Sequence, residues 1–468
     1  MRRMNRLKRI GRRGPLVLAG LIVLLSATGC EYTSTPSELL INPRLTPENA
    51  ELASAVQDAL PPRSKLSLPD RSDTTSAVSK IDLDGDGEME AVVTFAGEND
   101  KHQVMALKKR ANGWKPWFTF AESSVYGIDF MRTEDMDGDG VPEVLIGWNE
   151  YGEPEHMLDI YHVPKDASAD SVPRPIGELP YEIMNTGDVN GDGHDELALV
   201  NLNRDNLKAA VTIESVTGST VRKLASAPLN GSVNGYTQLA AGKIAPARYG
   251  LLTYAGIGAH STSASMLVWN DGSLVQVSGD QEGLTPEDVA SETPNNDING
   301  DGIIDLHVRR AAPGQPVDIS FADMLWIDRY LQWNGAGKFE IVEERYEDGD
   351  KGFSVRIPAG WKGHYTVRRP TDPDAGAIAF DYYDTASNRR AELFRIRTVA
   401  AGEWKDAEED QQDRSDRYAV LAKASGLVYE AIWDEPPADW PEEAAAAFKQ
   451  MQPGEAALRQ QFALLPET

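Results

Sequence analysis

The 468-residue chain holds one cysteine, Cys30. No disulfide forms within the chain, so stability must come from another source. Positive charge is also scarce. Residues 1–14 carry seven of the 46 Lys and Arg and no acid, leaving 39 basic against 73 acidic residues beyond them, a formal −34. Affinity for phosphate backbones needs basic side chains gathered on one face, so the composition argues against a nucleic-acid partner. The seven histidines (His102, His156, His162, His194, His260, His307 and His364) contain no H-E-x-x-H zinc spacing. No serine sits in a G-x-S-x-G elbow, and no phosphate-binding loop is present. The apolar run Pro15–Ala27 is short for a membrane span of roughly twenty residues.

What the chain does have is an acidic loop repeated about every 54 residues. It reads DLDGDGEME from Asp82, DMDGDGVPE from Asp135, DVNGDGHDE from Asp188 and DINGDGIID from Asp297. The starts are 53, 53 and 109 residues apart, and twice the period fits the last gap. The midway segment, Gly242–Tyr254, aligns with Gly187–Leu199, with Lys243, Ala245, Ala247 and Leu251 in place of the four side-chain ligands. Five regular units indicate a repeat architecture.

Each acidic loop has the chemistry of a calcium site, since calcium takes six to eight oxygen ligands from carboxylates and carbonyls. In the first loop Asp82, Asp84 and Asp86 converge, and the Glu88 carbonyl and Glu90 carboxylate close the shell. The matching sets are Asp135, Asp137, Asp139, Val141 (carbonyl) and Glu143; Asp188, Asn190, Asp192, His194 (carbonyl) and Glu196; and Asp297, Asn299, Asp301, Ile303 (carbonyl) and Asp305. Glycines such as Gly85 and Gly87 supply the tight turn. Magnesium fits less well, because it demands octahedral geometry and retains its waters. An EF-hand needs a bidentate Glu at loop position twelve, where this chain has Val93, Ile146, Leu199 and Val308. The runs after the loops, EAVVTF, EVLIGW, ELALVN and DLHVRR, have the β-branched character of strands.

The pattern D-x-[DN]-G-D-G-x-x-[DE] leading into a strand, at this spacing, resembles the FG-GAP/VCBS repeat of integrin-type β-propellers over residues 60–346. The resemblance implies a loop between two strands of a blade and a mainly structural metal. Strand counting agrees with it: Met89–Phe95, Gln103–Lys109, Trp114–Glu122 and Val125–Met131 give four strands in the first unit, matching one blade. The last unit runs out one strand short, and Ala77–Ile81 is expected to complete it and close the ring. The fold expected is mainly β: a propeller of about five four-stranded blades with calcium loops, plus a C-terminal α+β domain.

At the N-terminus a basic region, an apolar core and the small residues before Cys30 describe a secretory signal, residues 1–29. Leu25–Cys30 resembles a bacterial lipoprotein lipobox, which implies Cys30 acylated as the first mature residue; an uncleaved membrane anchor is the alternative. The protein is then extracytoplasmic and held to the bacterial cell membrane by that lipid. Extracellular calcium modules bind at about 10⁻⁴–10⁻³ M, so four sites fit that setting. Residues 30–59 read as a tether with a helix near Pro47–Leu60, and 351–468 as a separate α+β domain with a charged helix at Glu403–Arg417. Trp148, Trp269, Trp326 and Trp333 read as core or blade-rim residues. The polar stretch Gly258–Ser263 reads as a mobile loop or a ligand contact. Nearly all grouped carboxylates are accounted for as calcium ligands, so the sequence favours a surface-binding protein whose partner is a protein or a cell-wall glycan. A secreted polysaccharide-active enzyme and a structural stalk for the C-terminal domain are the alternatives.

Overall fold

The structure, a computed structural model, describes residues 46–71, 76–121, 125–152, 154–163, 173–258, 261–277, 283–285, 288–293, 296–315, 319–370, 376–404 and 417–466. Cys30, the signal sequence, His260 and most of the stretch expected to be helical at Glu403–Arg417 lie outside them. Two compact units form. One comprises the described residues up to Ala59 with Arg110–Trp114, the other Leu60–Lys109 with Lys115 onward.

The first unit contains the helix Pro47–Ala59. Proline suits its first position, where an N–H would lack an intrahelical partner. Thr46 Oγ1 accepts from the Asn49 N–H at 3.2 Å, the capping interaction that fixes the start. Leu52 and Val56, four residues apart and so on one face, are buried. No described helix is long and apolar enough to cross a membrane.

The second unit is mainly β, and its described strand pairs are antiparallel. The first sheet runs Val78–Ile81, Glu90–Ala96, His102–Arg110 and Gly113–Ala121, with Lys65–Leu66 also beside Glu90–Ala96. The second runs Val125–Glu134, Glu143–Glu150, His156–Tyr161 and Gly177–Tyr181. The third runs Ile183–Gly187, Glu196–Asn203, Lys208–Thr217 and Thr220–Asn230. A fourth set, Gly235–Ala245, Arg248–Gly258, Ser261–Asn270 and Ser273–Gln276, joins a fifth through the pair Thr262 and Ala290. The fifth contains Val289–Ala290, Leu306–Ala311, Trp326–Trp333 and Phe339–Asp348. Among the described residues no sheet closes on itself.

Burial explains why these segments are strands. Glu90–Ala96, Glu143–Glu150 and Glu196–Asn203 are buried along most of their length, the near-continuous pattern of strands covered on both faces. Successive sheets share cores. Val92, Trp117, Phe120, Ile146 and Trp148 join the first to the second. Phe130, Leu145, Tyr181, Leu197 and Leu199 join the second to the third. Val211, Ile213, Leu251 and Leu267 join the third to the fourth, and Leu252, Tyr254, Leu306 and Leu331 join the fourth to the fifth.

Two expectations about pairing are corrected. Val78–Ile81 does not complete the last unit; it pairs with Glu90–Ala96, Ile81 opposite Glu90, in its own sheet. A short loop makes that nearby closure entropically cheaper than a long-range one. Val125–Glu134 accordingly opens the second sheet instead of ending the first.

The fifth set continues through Phe353–Arg356 and Phe462–Leu464, so the sheet crosses the boundary expected between 346 and 351. Beyond it lies a five-stranded sheet, Tyr365–Arg368, Ile378–Asp384, Arg389–Ala400, Leu427–Trp433 and Arg417–Ala424 in spatial order. The helices Glu442–Met451 and Glu455–Gln461 contribute Phe448 and Leu458 to its core, an α+β arrangement. The same core takes Ile327 and Tyr346 from the fifth repeat. Phe353 sits between them, its ring near those of Tyr346, Tyr429 and Phe462. Phe353→Ala should therefore cost about 3–5 kcal/mol in urea unfolding, as for a buried aromatic at a shared core. A loss below about 1 kcal/mol would contradict that packing.

Candidate metal centre

Three acidic loops connect the first two strands of the first, second and third sheets. Each loop spans from one strand end to the residue paired with it: Ile81 with Glu90, Glu134 with Glu143, Gly187 with Glu196. The Asp297 loop leads into Leu306–Ala311 in the same way. All twenty residues expected to supply ligands lie in the described range. Val93, Ile146, Leu199 and Val308 are buried in the following strands.

The loops share a backbone frame built by their own carboxylates. The position-one Asp turns the chain by accepting N–H groups on both oxygens. Asp135 takes Gly138 at 2.8 Å and Gly140 at 3.0 Å; Asp297 takes Gly300 and Gly302, both at 2.8 Å. Asp188 accepts from Gly191 and Gly193, and Asp82 from Asp86 and Gly87. Gly138, Gly140, Gly191 and Gly193 all have positive φ, which explains these glycines. The position-five Asp then accepts the N–H of position seven: Asp86 from Glu88, Asp139 from Val141, Asp192 from His194, Asp301 from Ile303. Position seven thus contributes backbone. Val141 and Ile303 point their side chains into the core.

The position-nine acid anchors the loop to the sheet. Glu90, Glu143, Glu196 and Asp305 are 0, 0, 2 and 0% exposed. One oxygen of each accepts the N–H of position two, from Leu83, Met136, Val189 and Ile298 at 2.7–3.1 Å. Burial pushes these carboxyls up, Glu196 to about 7 and Asp305 to about 6. Glu90 and Glu143 are raised for the same first reason. A buried carboxylate needs a counter-charge: the Lys108 ammonium lies 3.0 Å from Glu90, and a bound cation would supply one in the other loops.

In the first two loops, acidic side chains converge. Asp82, Asp84 and Asp86 bring ligand atoms within 4.8 Å of one another, as do Asp135, Asp137 and Glu143. Asp84 Oδ1 and Asp305 Oδ1 are buried and accept no hydrogen bond. Such oxygens fit a hard cation. In the third loop, Asn190 Nδ2 donates to Glu196 Oε1 at 2.5 Å and to Asp192 Oδ2 at 3.0 Å.

Three side chains that sequence reading missed complete the surroundings. Lys108 Nζ lies 2.6 Å from Asp84 Oδ2, 2.8 Å from Asp86 Oδ2 and 3.0 Å from Glu90 Oε1. His162 Nδ1 is 2.9 Å from Glu143 Oε1. Gln332 Nε2 donates to Asp301 Oδ1 at 3.0 Å and Oδ2 at 2.9 Å. Lys108 and Gln332 come from neighbouring strands, and His162 directly follows the strand His156–Tyr161.

The ligand-free fourth unit lies where the period puts it. Its strands pair up to Ala245 and Arg248, closing a two-residue turn in which Ala247 takes φ 55°. Without a carboxylate cluster the same length of chain pairs with itself. Neighbouring turns also pack in order: His194 lies against Gly138 of the preceding loop, and Tyr249 against Gly191. Of the tryptophans, Trp148 and Trp333 are buried, and Trp148 Nε1 donates to Asp159 at 3.0 Å. Trp269 and Trp326 are partly buried. His307 is also buried, its ring nitrogens on Glu292 O and Asp328.

No protein-family model matches the chain, and no curated protein matches it. Among solved structures it is similar to the rhamnogalacturonan lyase YesW, at 12% identity and TM-score 0.26 over 72% of this chain and 75% of that one. It is likewise similar to the Bacillus licheniformis rhamnogalacturonan lyase PL11, at 12% identity and TM-score 0.25 over 70% and 72%. Likeness at this level carries no argument about fold or activity.

Glu196→Ala removes the acceptor of the buried Val189 N–H. In chelator it should cost about 1–3 kcal/mol by urea unfolding. An unchanged midpoint would mean that the acid does not anchor the loop.

Proposed function

We propose that residues 60–346 form a calcium-stabilised β-propeller of five four-stranded blades that binds a cell-wall glycan at a bacterial surface, tethered by a lipid on Cys30. The observation that carries the scaffold reading is the recurrence of one loop frame between the first two strands of successive sheets that share cores in sequence order. Blade-wise stacking accounts for both regularities. The metal is structural in this reading, since each loop holds a strand pair and neighbouring turns pack together.

One surface feature favours a glycan over a protein partner. Tyr126 and Tyr151 are 38 and 78% exposed, with ring centroids 5.0 Å apart. The Tyr126 hydroxyl is raised, by burial first and then by the nearby Glu155 and Asp70 carboxylates. Asn149 bridges Asp70 and His156, at 2.7 and 2.8 Å, on the strand that leads to Tyr151. Aromatic faces beside hydrogen-bonding side chains suit a ligand with apolar ring faces and many hydroxyls.

Two measurements test this reading. Millimolar calcium should raise the melting temperature where equal magnesium does not, each occupied loop adding about 1.4 kcal/mol at ten times its Kd. Asp135→Ala, Asp188→Ala and Asp297→Ala should each reduce that rise, and no calcium response would remove the metal from the account. On immobilised wall polymers the chain should be retained without releasing product, and Tyr151→Ala should weaken retention at unchanged melting temperature. Product release would replace binding with the polysaccharide-active enzyme.

A further inference from the structure

The four loops share a frame, yet what faces their inward oxygens differs at one register position. The residue one step beyond the last pair between a sheet's second and third strands lies level with the position-nine acid. It is Lys108 beyond Ala91–Leu107, His162 beyond Val144–Tyr161, Ser215 beyond Leu197–Glu214 and Gln332 beyond Leu306–Leu331. Lysine is the one permanent cation among these four.

Its ammonium is placed as an ion would be. The ammonium donates to Asp84 Oδ2 and Asp86 Oδ2, and Glu90 Oε1 lies 3.0 Å away as an ion-pair partner. The ring of Trp117 closes another side, its centroid 4.6 Å from Nζ, a cation–π contact. The Lys108 side chain is 8% exposed. Asp84, Asp86 and Glu90 are three of the ligands that a divalent ion in this loop would use. Calcium must approach each oxygen to roughly 2.3–2.6 Å, so ion and ammonium exclude each other by volume and by charge.

We propose that Lys108 is the resident cation of the first loop, so the chain takes divalent ions in the loops beginning at Asp135, Asp188 and Asp297 and none at Asp82. The ion count rests on the calcium reading of those three loops; the lysine lock does not. The first sheet then keeps its loop closed at any calcium level, while the other three respond to the ion. The four ligand sets that look alike in sequence divide into one internal salt cluster and three metal sites.

The test compares exposed, equivalent positions. Calcium stoichiometry is measured by titration calorimetry on the full-length chain. Asp86→Asn should leave the count unchanged, whereas Asp139→Asn, at the same position of the second loop, should lower it by one. Lys108→Met should raise it by one. Loss of an ion in Asp86→Asn, or no gain in Lys108→Met, overturns the proposal. If the wild-type chain binds no calcium, the metal reading fails, and thermal unfolding in chelator decides the lock alone. There Lys108→Met should lower the melting temperature by several degrees, and adding Asp86→Asn should reduce that loss. Strictly additive losses overturn it.

Discussion

Burying a carboxylate at the start of a central strand is the constraint on which the rest depends. Glu90, Glu143, Glu196 and Asp305 lie almost fully out of water. An unpaired buried charge is strongly destabilising, so each must be hydrogen-bonded and compensated. One oxygen is satisfied by the N–H of loop position two. The other turns the loop inward and creates a demand for positive charge. Asp and Asn at positions one, three and five add further oxygens beside it, which would share a cation. Where the acid is absent, as at Leu251, the strands pair up to a plain turn.

This constraint also organises packing. Each loop fixes the first two strands of a sheet in register, and a slip of one residue would turn every core side chain outward. With register fixed, Val92, Ile146, Val200 and Leu252 fall in the shared cores between sheets. The C-terminal region extends the same logic by a different route. It continues the fifth sheet through Phe353–Arg356 and shares its core instead of standing apart.

Much of this was legible in the sequence because the signals are local. Loop glycines, ligand types and the strand after each loop lie within a dozen residues of one another, and the period located the ligand-free unit. The misreadings were relations between distant segments. Ala77–Ile81 read as a strand, but its partner was misassigned because pairing depends on which closure is shorter. The boundary after Tyr346 looked clean because the pattern changes there, although the sheet continues. Lys108 lay only within the expected strand Gln103–Lys109; its role depends on cross-strand register, which no spacing rule along the chain expresses. Tyr126 and Tyr151 likewise come together only through their strands.

The most direct measurement is a crystal structure of the chain grown in calcium, with an anomalous difference map phased on the protein. The account predicts peaks in the loops beginning at Asp135, Asp188 and Asp297, with the Lys108 ammonium in place in the first loop. It also predicts the successive sheets arranged as blades. Empty loops throughout, or an ion among Asp82, Asp84 and Asp86 with Lys108 displaced, would contradict it.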